Sequence, residues 1–450
     1  MDHTLSARAT TAAFRVTPAR AILLGFGSVI LTGAGLLTLP AASISGESAG
    51  FLTALFTATS AVCVTGLVVV DTATQWSPWG QVVILGLIQT GGLGFMSVAS
   101  LVFLLLGKRV GLKERILIRE SLNQYDIAGM VRLVKAVLVF AFTIEGFFAL
   151  VLAWHWSFEV GWRRGIWFGV FHTVSAFNNA GFDLFGDFRS LTGYVGDPVI
   201  VGSITTLIIL GGIGFSVVVN LWEWRERRLT LHSRLALVVT GYLIAAGTLA
   251  VLLFEWGNSL APLQWPDKLL GAYFQSITPR TAGFNTLDIA KLRHSTQFLL
   301  TVLMFIGASP GSTGGGIKTT TFGLLTAAVW SQSRGKEDTE VLGRRIPGEQ
   351  VNKALAVTLT SGCLVTVVTL LLTLTESADF LTLLFETVSA FGTVGLSMGV
   401  TPTLTSLGRI LIIVTMFAGR VGPLTAMVAL AQSARPKNLI RRVEDRVLIG

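Results

Sequence analysis

The sequence predicts an all-α polytopic membrane protein built from four repeats of helix, re-entrant loop and helix. Of its 450 residues, 52% are hydrophobic and 13% are charged, so too few charged side chains are available to solvate a soluble fold of this size. Apolar runs of about 20 residues, the length that crosses a bilayer core, recur along the chain. A short motif ending in glycine recurs four times. A soluble enzyme is therefore not expected.

Eight apolar runs are long enough to cross a bilayer. They cover residues 21–40, 80–106, 132–154, 198–222, 234–254, 296–330, 353–374 and 405–432. The even number of crossings places both termini on the same side of the membrane.

Four shorter apolar stretches lie between successive pairs of long runs, and they are too short to cross, which is typical of re-entrant helices. They lie near residues 51–62, 165–177, 267–278 and 379–391. With their flanking runs they divide the chain into four predicted repeats, which cover residues 1–129, 130–232, 233–350 and 351–450.

Each short stretch ends in a motif that closes with one glycine and one large apolar residue. The copies are Ser60–Leu67, Ser175–Phe182, Ile277–Phe284 and Ser389–Leu396. A weaker glycine-rich motif follows each of them, at Gly91–Phe95, Gly211–Phe215, Gly311–Gly316 and Gly419–Pro423. A single glycine in an apolar run usually packs helices together, but four copies in register indicate an internal repeat with a common purpose.

The distribution of charge predicts the orientation. The side that holds both termini collects 24 of the 34 Lys and Arg residues, and by the positive-inside rule this side is cytoplasmic. The re-entrant loops then enter from outside. The formal net charge of +9 reflects this topology and contact with the lipid membrane. Nucleic acid is not an expected partner.

The four loops are expected to meet around a pseudo-fourfold pore. Non-helical backbone at membrane depth is tolerated only where it is buried in protein or lines water. Carbonyls from four such loops can replace the hydration shell of an alkali cation, and the motifs contain no carboxylate for a divalent site. The predicted filter residues are Cys63, Val64, Thr65, Gly66, Asn178, Asn179, Ala180, Gly181, Thr281, Ala282, Gly283, Gly392, Thr393, Val394 and Gly395.

These motifs resemble those of the Ktr, Trk and HKT superfamily of potassium transporters. The resemblance covers essentially the whole chain, and it is carried most specifically by Ser276–Thr286, Gly311–Thr320 and Gly419–Thr425. It is closest to the membrane subunit of the Ktr potassium-uptake system, because the first repeat begins too near the N-terminus for the two extra leading helices of Trk proteins. Gly66 stands where sodium-preferring plant members often have serine. The resemblance therefore implies potassium at the filter glycines.

Residues 307–321 interrupt the sixth long run with five glycines and one proline, a composition that ordinary helices do not tolerate. A phosphate-binding loop is the alternative, but Ile317 separates Gly316 from Lys318 and no strand precedes the segment. The resemblance implies instead a gate that lies across the pore beneath the filter. Its predicted residues are Gly311, Ser312, Thr313, Gly314, Gly315, Gly316, Lys318 and Arg420.

Charged residues within the apolar runs are costly unless they are paired or face water. Lys318 and Arg420 either pair structurally or face the pore, and the resemblance implies that Arg420 opposes cation passage below the filter. We expect Glu145 and Glu386 to be partners or pore-helix anchors. Arg280 is expected to donate to loop carbonyls.

The resemblance implies potassium uptake across the plasma membrane, driven by ion gradients and the membrane potential. No bound cofactor is expected, and potassium or sodium is the transported substrate. The implied partners are a cytosolic nucleotide-binding regulatory ring and a second copy in a homodimer. Two alternatives stay open: a sodium-permeable or sodium-coupled relative, and the ion-conducting subunit of a potassium-pumping ATPase, although such subunits are longer.

Overall fold

The structure, a computed structural model, describes residues 18–94, 130–224 and 228–422, and nearly all of the regular secondary structure in these residues is helical. The helices are α1 (Pro18–Thr38), α2 (Phe51–Val62), α3 (Thr72–Gln75), α4 (Pro78–Gly92), α5 (Met130–Val160), α6 (Trp162–Phe177), α7 (Pro198–Gly212), α8 (Phe215–Trp222), α9 (Leu231–Glu255), α10 (Trp265–Ile277), α11 (His294–Phe305), α12 (Thr319–Ser333), α13 (Gly348–Thr375), α14 (Phe380–Gly392) and α15 (Ser406–Val421). The strands β1 (Glu340–Val341) and β2 (Arg344–Arg345) form a small antiparallel hairpin between α12 and α13.

One long apolar helix opens each repeat. Within the described ranges, α1, α5, α9 and α13 are the four helices that are long and apolar enough to cross a membrane. Large apolar side chains remain exposed along them, such as Leu150 on α5 and Leu374 on α13, which are 75% and 76% exposed. Exposed side chains of this kind are suited to lipid rather than water. The all-α polytopic fold that the sequence predicts is confirmed.

A short helix follows each long helix and agrees with a predicted re-entrant stretch to within three residues. These pore helices are α2, α6, α10 and α14, with 12, 16, 13 and 13 residues. Gly161 joins α5 to α6 with a φ of +81°, and Gly50 precedes α2 with a φ of +83°. Glycine occupies this region without a steric cost, so the chain can reverse sharply and pack the two helices side by side.

The sequence also encodes the start of the second helix in each of three repeats. Ser77 and Asp197 cap α4 and α7 through their side-chain oxygens, and a proline follows each of them in the first turn. Thr405 caps α15 in the same way. Such side chains satisfy amides that have no partner within the helix.

The second long run of the second repeat differs from its prediction. Residues 198–222 form two helices, α7 and α8, which are bent by 98°. The bend lies at Gly214, whose φ is +97°. The run at 296–330 is interrupted as predicted, between α11 and α12.

Only the first part of the second long run in repeats one and four lies within the described residues. Helix α4 ends at Gly92 and α15 ends at Val421. The remainders of the predicted runs, 95–106 and 423–432, lie outside the described residues. The repeat limits stay predictions from the sequence, and α9 and α13 begin two or three residues before the limits at 233 and 351.

Candidate functional site

The four motifs fold into the same turn. In each, the amide of the residue before the glycine donates to the carbonyl of a hydroxyl-bearing residue near the end of the pore helix. The pairs are Thr65 with Ser60, Ala180 with Ser175, Ala282 with Thr278, and Val394 with Ser389, at 2.7–3.0 Å. Thr278, rather than Ile277, therefore occupies the position of the three serines. The third turn is one residue shorter than the sequence pattern predicts.

Left-handed backbone recurs in every turn. The glycines Gly66, Gly181, Gly283 and Gly395 have φ values of +89°, +71°, +80° and +94°. The residue two places earlier is also left-handed, with φ between 51° and 74° at Val64, Asn179, Thr281 and Thr393. This conformation is costly for β-branched residues and persists only where the surroundings enforce it. Such strain is typical of functional sites.

The four glycines form a ring, which we call the glycine ring. Each glycine packs so closely on the next repeat that an added Cβ would collide with the carbonyl oxygen preceding the neighbouring glycine. A Cβ on Gly66 would lie 2.5 Å from the Ala180 oxygen. The remaining pairs are Gly181 with Ala282, Gly283 with Val394, and Gly395 with Thr65. The ring closes in the order of the repeats, so the second repeat faces the fourth across it.

Hydroxyl groups of the pore helices brace the ring. Ser60 and Ser389 accept hydrogen bonds from the amides of Gly66 and Gly395, at 3.0 and 3.1 Å. Ser175 and Thr278 donate instead to the carbonyls of the residues that follow the other two ring glycines. The sequence pattern does not by itself predict a role for these hydroxyls. Their recurrence near the start of each motif was the available signal.

One side of the ring opens into a cavity of about 260 Å³, which we call the vestibule. Its walls include Asp71, Asp183 and Asp288. Asp183 lies in the segment after the second ring glycine, outside the helices. Burial raises the pKa of Asp183 to about 7, and the nearby Asp71 carboxylate adds to this effect. The vestibule presents carboxylates to an approaching cation.

The segment that interrupts the third repeat, residues 306–318, forms a closed loop on the other side of the ring. We call it the intramembrane loop. At its base, the Gly307 amide donates to the Ile317 carbonyl at 2.8 Å, and the Thr319 amide donates to the Ala308 carbonyl at 3.2 Å. The backbone groups freed by the broken helix are therefore paired within the protein, as membrane depth requires.

The intramembrane loop also pairs with the bend in the second repeat. The amides of Ser309 and Thr313 donate to the last carbonyls of α7, those of Gly212 and Gly211, at 2.9 and 3.1 Å. In return, the first amide of α8 donates to the Gly311 carbonyl at 2.9 Å. Helix ends leave such groups unpaired. Each of the two breaks thus supplies the partners that the other needs.

The tip of the loop lies directly against the turns that carry the ring. Three side chains located two residues before a ring glycine reach it, namely Asn179, Thr281 and Thr393. The side-chain amide of Asn179 donates to the Thr313 hydroxyl at 3.1 Å. The backbone amide of Gly315 donates to the Thr393 hydroxyl at 3.0 Å. The loop and the ring are therefore in direct contact.

Two cationic side chains hold the tip in place. Lys318 donates from Nζ to the Gly314 carbonyl at 2.6 Å, within the loop itself. Arg420 donates from Nη1 to the Thr313 carbonyl and from Nη2 to the Gly91 carbonyl at the end of α4. The loop is thereby linked to the first and fourth repeats. The structure brings together the residues that the sequence assigned to a gate.

The remaining charged candidates lie behind the ring. Glu145 accepts hydrogen bonds from Gln89 at 2.9 Å and from Asn178 at 3.0 Å, so it anchors the end of a pore helix. Arg280 donates to the Thr240 hydroxyl on α9 at 3.1 Å rather than to the loop carbonyls expected for it. Cys63 is buried with a free thiol.

Known proteins resemble this chain both in sequence and in structure. The TrkH family model, described as cation transport protein, matches residues 25–439. The Ktr system potassium uptake protein B of Bacillus subtilis (strain 168) is 46% identical, with 97% of each chain covered. The potassium/sodium uptake protein NtpJ of Enterococcus hirae is 40% identical over 97% of this chain and 98% of its own.

The crystal structure of the potassium transporter TrkH from Vibrio parahaemolyticus shares the fold, with a TM-score of 0.72 at 19% identity over 95% of this chain and 87% of that one. This match extends across all four repeats. The long apolar helices α1, α5, α9 and α13 make this chain a multi-pass membrane protein. The chain is a transporter rather than an enzyme, and it belongs to the TrkH family of cation transport proteins.

Proposed function

We propose that this chain takes up potassium ions across the plasma membrane through the glycine ring. One observation carries the proposal: four left-handed glycines, one from each repeat, meet with a carbonyl of the neighbouring repeat at each contact. Carbonyl rings of this kind replace the water around a monovalent cation. Potassium would bind at Gly66, Gly181, Gly283 and Gly395 and their preceding carbonyls.

The vestibule and the hydroxyl braces support the same function. Carboxylates in the vestibule raise the local concentration of cations before they reach the ring. The braces at Ser60 and Ser389 fix the ring amides, which keeps the carbonyls in place when an ion binds. A site held in this way favours the ion whose size it fits, because collapse onto a smaller ion would break hydrogen bonds.

The intramembrane loop would act as the gate. It contacts three of the four turns from below, so an ion leaving the ring has to pass the loop. The guanidinium of Arg420 beside its tip adds a repulsive charge to this barrier. Opening would require the loop to exchange its contacts with Thr393 and Asn179 for other partners. Its glycines permit such a change of backbone conformation.

The driving force would be the membrane potential together with ion gradients. The potential supplies about 2.3 kcal/mol per charge for each 100 mV, so about 150 mV supports accumulation of roughly 300-fold. We propose that both termini are cytoplasmic. We also propose that a homodimer and a cytosolic nucleotide-binding ring complete the transporter, since close relatives are named as components of Ktr systems.

A second candidate is mixed transport of potassium and sodium. It is favoured by the relative named as a potassium/sodium uptake protein. The test is ion flux into liposomes containing the purified protein at a fixed membrane potential, with each ion alone and in competition. The proposal expects potassium flux that sodium inhibits weakly. Equal fluxes would favour mixed transport, and no flux of either ion above that of empty liposomes would reject both.

A further inference from the structure

One polar position recurs in all four pore helices, three residues before the bracing hydroxyl. Residues spaced by three lie on the same face of a helix, so this position faces the segment around the ring glycine. Its occupants are Thr57, His172, Gln275 and Glu386, each no more than 1% exposed. Burying four different polar side chains at one equivalent position is costly unless they find partners. Only two of them have hydrogen-bond partners among the described residues.

His172 holds the segment that follows Gly181. Its Nε2 accepts a hydrogen bond from the Leu184 amide at 3.2 Å, and its Nδ1 lies 2.8 Å from the Phe168 carbonyl. An amide can only donate and a carbonyl can only accept, so the proton of this neutral ring is on Nδ1. Trp156 and Phe185 pack against the His172 imidazole, with their ring centroids 4.9 and 4.6 Å from its centroid. The orientation of the imidazole is therefore fixed.

Glu386 holds the segment that follows Gly395. Its Oε2 accepts a hydrogen bond from the Ser397 hydroxyl at 2.8 Å, and its Oε1 accepts one from the Thr401 hydroxyl. Both hydroxyl residues also line the vestibule. The carboxylate thus connects the fourth pore helix to the wall of the vestibule immediately beyond the ring.

The other two occupants provide an internal contrast. The hydroxyl of Thr57 and both polar atoms of the Gln275 side chain have no hydrogen-bond partner among the residues described. These side chains belong to repeats one and three. The two that hold a segment belong to repeats two and four, which face each other across the ring. His172 and Glu386 therefore support two opposite sides of a ring to which all four repeats contribute.

We propose that His172 and Glu386 are positioning residues that hold two opposite walls of the glycine ring and thereby set its preference for potassium over sodium. This inference rests on the proposed function. Each side chain fixes the backbone just after a ring glycine, so it limits how far that wall can move inward. Sodium is the smaller ion, and its coordination needs the larger inward movement. Loss of either support should therefore relax selectivity more than it reduces transport.

The test compares potassium and sodium fluxes of full-length variants in liposomes. In His172→Leu and Glu386→Ala, the ratio of potassium to sodium flux should fall about tenfold, the change expected when a positioning hydrogen bond is lost. Conservative variants should restore it: the side-chain oxygen of His172→Gln can accept from the Leu184 amide, and Glu386→Gln keeps an acceptor for Ser397. The matched controls are Thr57→Val and Gln275→Leu, which should keep the parent ratio.

Several results would overturn the inference. Folded His172→Leu and Glu386→Ala proteins with the parent ratio would do so, as would an equal fall in both controls. If Glu386→Ala does not fold, Ser397→Ala removes the same hydrogen bond from outside the pore helix, and an unchanged ratio there has the same meaning. A parent protein that conducts without selectivity would instead refute the proposed function.

Discussion

The Gly315 amide donates a hydrogen bond to the Thr393 hydroxyl at 3.0 Å, which links the intramembrane loop of the third repeat to the turn that carries the ring glycine of the fourth. Thr393 is left-handed and lies two residues before a ring glycine. A movement of the loop would therefore act directly on the backbone next to the ring. This contact, like that between Asn179 and Thr313, is a direct route by which the loop and the ring could affect each other.

Removing that hydroxyl should loosen the gate. Thr393→Val keeps the shape of the side chain but leaves the Gly315 amide unpaired, so the closed loop should lose about 1 kcal/mol, and ion flux should rise about fivefold. The measurement is flux into liposomes. Thr373→Val, at an exposed hydroxyl on α13, is the control and should match the parent. A flux unchanged by Thr393→Val would mean that this contact does not hold the loop closed.

Shortening the loop should have a larger effect in the same direction. Deletion of residues 312–315 removes the tip but retains Gly311, whose carbonyl pairs with the first amide of α8. Flux should then rise well above that of Thr393→Val, since Arg420 and Thr393 both lose their loop partners. Deletion of residues 336–339, in the segment that precedes the hairpin, is the control. A folded protein without the tip that conducts no faster than the parent would contradict the gate.

Selectivity should depend on the ring glycines themselves. Gly66 has a φ of +89°, and a Cβ there would lie 2.5 Å from the Ala180 carbonyl oxygen. Gly66→Ser should therefore distort the ring and lower the ratio of potassium to sodium flux about tenfold. Gly35→Ser, at a position in α1 with open space around it, should leave the ratio unchanged. An unchanged ratio in a folded Gly66→Ser protein would contradict the filter assignment.

The pore helices could be predicted from the sequence because they depend on local features. Their apolar length and the motif at their ends place α2, α6, α10 and α14 within three residues of the observed bounds. The positions of the ring glycines follow from the same motif. The sequence pattern starts the third motif at Ile277 rather than Thr278, because it counts the third turn as long as the others.

The bend at Gly214 could not be predicted in the same way. Apolar residues continue through it, and glycine within an apolar run is usually a packing position. The bend is stabilised by hydrogen bonds to the intramembrane loop, which lies far along the chain, in another repeat. The supporting roles of His172 and Glu386 also depend on contacts that only the folded chain brings together.

Substitutions of Arg420 can separate the effect of its charge on ion flux from the effect of its hydrogen bonds. Its guanidinium donates to the carbonyls of Thr313 and Gly91, so it both holds the loop and places a positive charge near its tip. A unit charge at 4 Å raises the barrier for a cation by about 1 kcal/mol in water and by about 4 kcal/mol at an effective dielectric of 20. Arg420→Gln and Arg420→Ala should both accelerate flux.

Arg420→Lys distinguishes the two contributions, because an ammonium keeps the charge but cannot span both carbonyls with a fork. Flux that stays slow in Arg420→Lys would assign the barrier to charge. Flux as fast as in Arg420→Ala would assign it to the hydrogen bonds. Parent-like flux in Arg420→Gln, with a lower folded yield of Arg420→Ala, would falsify any role in the barrier.

Potassium uptake should depend on pH on the vestibule side. The pKa of Asp183 is raised to about 7 by burial and by Asp71, while its hydrogen bond from the Phe185 amide and the charge of Arg189 act in the opposite direction. The carboxylate is therefore charged above about pH 7 and neutral below it. Acidification from pH 8 to pH 6 should weaken the attraction for cations, and the apparent KM for potassium should rise about fivefold, which corresponds to about 1 kcal/mol for a charge at 4 Å in water.

The measurement is initial potassium uptake at a fixed membrane potential, with pH changed only on the vestibule side. Asp183→Asn should show the higher KM at both pH values, because its side chain cannot ionise. Asp187→Asn is the matched control, since Asp187 is exposed and does not line the vestibule, and it should keep the pH response of the parent. A parent response that persists in Asp183→Asn would assign the titration to another group. Because the ring itself contains no ionisable side chain, the maximal rate should change little between the two pH values.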